Sequence, residues 1–87
     1  MIQPNVKISI DKYVKQGVPL GDFLRAVASN DLKEACARAD DENKHWIVAI
    51  VSYFYNECPA YCWGSPKAYK NWLKRKRDER DKEIGIR

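Results

Sequence analysis

The stretch Glu42-Asn43-Lys44-His45-Trp46-Ile47-Val48-Ala49-Ile50-Val51-Ser52-Tyr53-Phe54-Tyr55-Asn56-Glu57 decides how this chain is read. Between Trp46 and Tyr55 only Ser52 breaks an otherwise apolar run. Its β-branched residues would also suit two strands. The length of the run, the acidic residues at its start and Pro59 just beyond it favour a helix. A helix that is apolar on nearly every side must be surrounded by others. The expectation is an all-α, single compact domain of about five short helices packed around a central one at residues 42–57.

The flanking sequence supplies the other helices. Ser9 reads as the cap of a first helix, with Ile10, Tyr13 and Val14 at helical spacing and Gly17 ending it. Residues 1–8 then read as an extended arm. Val18-Pro19-Leu20-Gly21 is a turn, followed by a helix from Asp22 to Ala28 with Phe23, Leu24 and Val27 on one side. Ser29-Asn30-Asp31 breaks it, and Leu32 to Ala39 makes a third helix using Leu32, Ala35, Cys36 and Ala39. Asp40 or Asp41 can cap the central helix. After it, residues 56–64 form an aromatic loop, and Ser65-Pro66 opens the last helix with serine at the cap and proline in the first turn. Tyr69, Trp72 and Leu73 give that helix its apolar stripe.

The stripe stops at Leu73, and residues 74–83 are ten consecutive charges. The 87 residues carry a net charge of +4. Residues 1–66 carry −1 and residues 67–87 carry +5, so the basic excess belongs to the C-terminal segment. The chain divides into a helical domain at 1–73 and a charged helical extension at 74–87. Pairs such as Arg75/Glu79 and Asp78/Lys82 support such a helix by only ~0.2–0.5 kcal/mol each, and its plainer reading is a solvated, frayed end.

Several functions are excluded. No run approaches the ~18 apolar residues of a membrane helix, and residues 1–7 lack the layout of a secretory signal, so a cytoplasmic protein is expected. Three cysteines, Cys36, Cys58 and Cys62, do not make a closed disulfide framework. With His45 they offer four nominal zinc ligands, but the Cys58-x3-Cys62 spacing departs from the usual zinc pattern. Buried or partly buried free thiols are expected, with no metal and no cofactor. No nucleotide-binding or hydrolase motif is present. His45, the only histidine, would have to serve as base for any nucleophile. No catalytic residue is expected.

Two candidate sites remain. The first is Tyr61, Trp63, Gly64, Ser65, Lys67 and Lys70. A helix start suits an anion, Gly64 allows close approach, the lysines add charge, and Tyr61 and Trp63 offer faces for a nucleobase. The plainer alternative is that Trp63 packs inward and Ser65 only caps. The second is the cation cluster Lys74, Arg75, Lys76, Arg77 and Arg80, which would grip nucleic acid without reading sequence. Base reading by a helix–turn–helix would need polar side chains on the central helix, which lacks them. Eight of the ten aromatic residues lie within 46–72. In so small a domain some must reach the surface, where tyrosine and tryptophan anchor interfaces with a partner or a second copy.

The pattern Gly17-Val18-Pro19, Gly21-x-Phe23-Leu24-x-Ala26-Val27, Asn30-Asp31-Leu32, Arg38-Ala39-Asp40, Asn43, then Ser52-Tyr53-x-Tyr55-Asn56-x-x-Pro59-x-x-Cys62-Trp63-Gly64-Ser65-Pro66 resembles a group of small bacteriophage and prophage proteins. The likeness covers residues 9–73 and carries no reaction or ligand. It implies a role in an infected or lysogenic bacterium, against host machinery or host immunity. The expectation is therefore a non-enzymatic binding protein that blocks a host factor or sequesters an anionic signalling ligand. The alternative is a nucleic-acid-binding accessory protein using the basic segment.

Overall fold

The computed structural model describes residues 2–83 of the chain, with side chains through Asp81. Six α-helices follow one another: α1 (Pro4–Gln16), α2 (Asp22–Ala28), α3 (Leu32–Arg38), α4 (Asp41–His45), α5 (Ile47–Glu57) and α6 (Pro66–Glu83). A 3-10 turn at Ala60–Cys62 precedes α6, and no strand occurs among the described residues. The domain is all-α. No helix among these residues is long and apolar enough to cross a membrane.

Local chemistry sets several of the helix ends. Gly17 ends α1 in the left-handed region, φ 72°, and its N–H donates to the Tyr13 carbonyl. The carboxylates of Asp31 and Asp40 accept from the backbone N–H of Glu34 and Asn43, capping α3 and α4. Ser65 Oγ accepts from the Ala68 N–H at 3.0 Å, with Pro66 as the first helical residue of α6.

The start of α1 corrects the sequence reading. Residues 4–8 are helical, not an extended arm, because Pro4 occupies the first turn with its φ already fixed. Ser9 is mid-helix, and its hydroxyl donates back to the Asn5 carbonyl. Val6 thereby joins Ile10 and Tyr13 on the buried face of α1.

The stretch at 42–57 also differs. It is two helices, interrupted at Trp46 (φ −107°, ψ 10°) with neither glycine nor proline at the break. The half-buried Trp46 packs against the core, with the exposed His45 ring edge-on at 4.9 Å. Nor is α5 surrounded: only Ile50 and Phe54 are buried, while Val48 is 79% and Tyr55 77% exposed. Hydrophobic character predicted burial on all sides, whereas the helix lies at the edge of the domain. On α3 the same logic fails for Leu32 and Cys36, both exposed, and Ala35 alone turns inward.

The core's fully buried residues come from α1, α2, the inner face of α5 and the 3-10 turn: Ile10, Tyr13, Ala28, Ile50, Phe54 and Cys62. The last helix closes over them through Tyr69 and Trp72. The Tyr13 hydroxyl donates to the Cys62 carbonyl at 2.6 Å, and Trp72 Nε1 donates to the Tyr13 carbonyl at 3.1 Å. Tyr69 stacks on Tyr13 at 5.3 Å, and its hydroxyl accepts from the Leu20 N–H. Burial drives the Tyr13 phenol far above its ordinary range, so it stays a donor. Helix α6 runs unbroken past Leu73, and Lys76 still abuts Gly17.

A polar contact pins α5 to α1. The Tyr53 hydroxyl donates to Asp11 at 2.5 Å, and Lys7 approaches the same carboxylate at 3.2 Å. The Tyr53 bond, aided by Lys7, holds the Asp11 pKa below its ordinary 3.8. A depressed carboxylate stabilises the fold above its unfolded pKa and loses that contribution as pH falls through the folded value. Tyr53→Phe is therefore expected to cost about 1 kcal/mol at pH 7, the bond being charge-assisted but partly solvated. In thermal melts the gap from the parent protein should narrow as pH falls below 3.8. A gap independent of pH would show that the tyrosine acts through packing alone.

Candidate functional site

The site is built by the loop that carries the chain from α5 into α6. Cys62 is fully buried, anchored through its carbonyl to Tyr13. Trp63 is extended (φ −154°, ψ 172°), and its ring stacks on Phe54 at 5.4 Å. Gly64, at φ 110°, donates its N–H to the Ala28 carbonyl at 2.7 Å. These bonds leave Tyr61 and Trp63 flanking the start of α6.

Along α6, Lys67, Asn71 and Arg75 recur at four-residue intervals and so share one face. They form the wall of an open cleft of about 470 Å³. Its lining is completed by Tyr61, Trp63, Ser65 and Trp72, with Ala60 and Ala68 leaving room. The volume lies in the range of small-molecule sites. Lys67 and Arg75 stand eight residues apart, which is ~12 Å along the helix axis.

Of the two cations lining the cleft, Arg75 is the one held by aromatic contacts. Its guanidinium lies 5.4 Å from the ring centroids of both Tyr61 and Trp72. It also approaches Glu79 at 3.6 Å. Tyr61 is 62% exposed and tilts against the buried Trp72 at 5.7 Å. An exposed aromatic and a cation thus form a lip over a buried indole.

Of the first candidate set, Tyr61, Trp63, Ser65 and Lys67 line this cleft, while Gly64 and Lys70 do not. Trp63 is half-buried, combining core packing with a face on the cleft, and Ser65 both caps α6 and lines the cavity. Asn71 and Trp72 were missed, although four-residue spacing from Lys67 would have found Asn71. Arg75, assigned to the nucleic-acid set, joins the cleft instead.

The second set does not form one surface. Lys74, Arg75, Lys76, Arg77 and Arg80 turn ~100° per residue and so spread around the whole helix. Asp78 and Glu79 fall among them. Lys76 is partly buried, with its ammonium 5.0 Å from the Trp72 ring and 3.3 Å from Glu79. Glu79 thus takes up charge from Arg75 and Lys76 together. The Asp78/Lys82 pair lies outside the described side chains.

The cysteines are free thiols: Cys36 exposed, Cys58 half-buried and Cys62 buried. Exposure of Cys36 corrects the expectation of three sheltered thiols. A hydrogen bond to Cys62, reinforced by burial, holds the Cys58 thiol well above its ordinary value, so it remains protonated at neutral pH. No group of three metal-ligating side chains converges among the described residues.

No protein-family model matches the chain, and no curated protein or solved structure matches it.

Proposed function

We propose that this chain is a small, non-enzymatic binding protein of phage type. Its cleft between the 3-10 turn and α6 takes an anionic ligand that carries a planar group. One observation carries the reading: three aromatic side chains and two cations, with Ser65 and Asn71 as polar anchors, converge on a single cleft of about 470 Å³. A planar group stacked on such rings gains ~1–3 kcal/mol. An anion meeting Lys67 or Arg75 gains a charge-assisted hydrogen bond of similar size. Nucleoside phosphates combine both features. In an infected bacterium, sequestering such a signalling molecule would blunt a host response. A host protein offering an acidic and an aromatic side chain would use the same chemistry.

The scattered cations of residues 74–80 disfavour nucleic acid as the principal partner. Calorimetric titration with nucleoside mono- and diphosphates, and with a short single-stranded oligonucleotide, tests the reading. Saturable mononucleotide binding is expected, weakened at least ~10-fold by Lys67→Ala or Arg75→Ala and unchanged by Lys70→Ala. Absence of saturable mononucleotide binding would overturn the ligand assignment. Equal losses from Lys70→Ala would overturn the site.

A further inference from the structure

The outward face of α5 is apolar and open. Val48, Val51 and Tyr55 are 79%, 36% and 77% exposed, and they recur at three- and four-residue steps along one stripe. Leu32 of α3, 68% exposed, lies across a small groove that Val51 also lines. A second groove, containing Ala49 and Ser52, runs along the other side of the helix. So α5 is a ridge between two depressions. No charged residue occurs from Ile47 to Asn56.

We propose that this ridge is a homodimer interface, crossed by the α5 of a second copy running antiparallel. The face is self-complementary. Val48 and Tyr55 are seven residues apart, ~10.5 Å along the axis, and their midpoint falls between Val51 and Ser52. A two-fold axis through that midpoint sets each Tyr55 over the partner copy's Val48. It also places the small Ser52 where the helices approach most closely. Such an isologous arrangement is the commonest in soluble oligomers.

Charge and area select the occupant. An uncharged face adds no like-charge contact when a chain of net charge +4 meets its own copy. The stripe offers an anion no cation and offers a charged partner nothing to select it. Leu32, Val48, Val51 and Tyr55 expose on the order of 500 Å², as much as the largest apolar patch of an ordinary monomer. Contributed by each copy, that area doubles to the ~1,000 Å² at which a specific interface begins.

Sedimentation equilibrium on the full chain at concentrations up to ~200 µM tests this, a range that populates the weak dimer expected of an interface at the small end of the specific size class. The parent protein is expected at twice its 10.1 kDa mass. Val48→Glu and Tyr55→Lys should each give monomers with unchanged helical circular dichroism. The double variant should dimerise again, because only the antiparallel pairing sets Glu against Lys. A parent that stays monomeric overturns the proposal, whether the face is then covered by another protein or by nothing. So does a dimer that survives Val48→Glu, or a double variant that stays monomeric.

Discussion

Gly17→Ala is expected to destabilise the protein by about 2–5 kcal/mol. Two costs add. An L-residue held at φ 72° costs ~1–2 kcal/mol. The new Cβ would also overlap the Lys76 Cβ, which is fixed to the α6 backbone and cannot swing aside. Forcing extra volume into such a contact costs ~1–3 kcal/mol. A domain of this length has a total stability of only ~4–13 kcal/mol. Urea denaturation should therefore show a large fall in midpoint. Lys76→Gly separates the causes: in that background Gly17→Ala meets no Cβ, so its cost measured against Lys76→Gly alone is the backbone cost. A Gly17→Ala protein within ~0.5 kcal/mol of the parent would mean that α6 does not sit against the end of α1.

Trp72→Ala should cost ~3–5 kcal/mol, the usual range for truncating a buried aromatic. The side chain is 6% exposed and joins α6 to α1 through its bond to the Tyr13 carbonyl. That carbonyl also accepts from Gly17, so it keeps one partner in the variant. The loss is therefore chiefly one of packing, with the Arg75 and Lys76 contacts adding ~0.5–1 kcal/mol each. For a chain this short each kcal/mol moves the melting temperature by ~4–8 °C, so a drop of ~15 °C or more is expected. Trp46→Ala, at a half-buried ring, provides the comparison. A smaller drop for Trp72→Ala than for Trp46→Ala would move the centre of the core away from α6.

How much of this was legible in the sequence depends on the range of the interaction. Asp31, Asp40, Gly17 and Ser65-Pro66 set helix ends through contacts a few residues long, and their reading needs only spacing. Pro4 obeys the same rule as Pro66, but Ser9 offered a competing cap, and mid-helix serine can satisfy itself on the preceding turn. Composition made α5 the centre because it measures apolarity, and apolarity does not distinguish a core from an exposed interface. The actual centre depends on Tyr13 meeting Cys62 and Trp72, partners 49 and 59 residues away. No local pattern announces those. In the cleft, Tyr61, Trp63, Ser65 and Lys67 were legible because they are nearly contiguous. Arg75 was read as one charge in a run, and only the fold shows it lying over Tyr61 and Trp72.

The bonds from Tyr13 to Cys62 and Trp72 also govern when the molecule can assemble. Closing a loop of that length precedes any reward from the contacts it makes. During synthesis the N-terminal helix lacks its contacts with α6 until Trp72 has left the ribosome. Until then Tyr13 has neither the Tyr69 ring it stacks on nor the Trp72 side chain that bonds its carbonyl. A ribosome stalled within α6 would hold a chain whose first helix is complete and whose closing residue is missing.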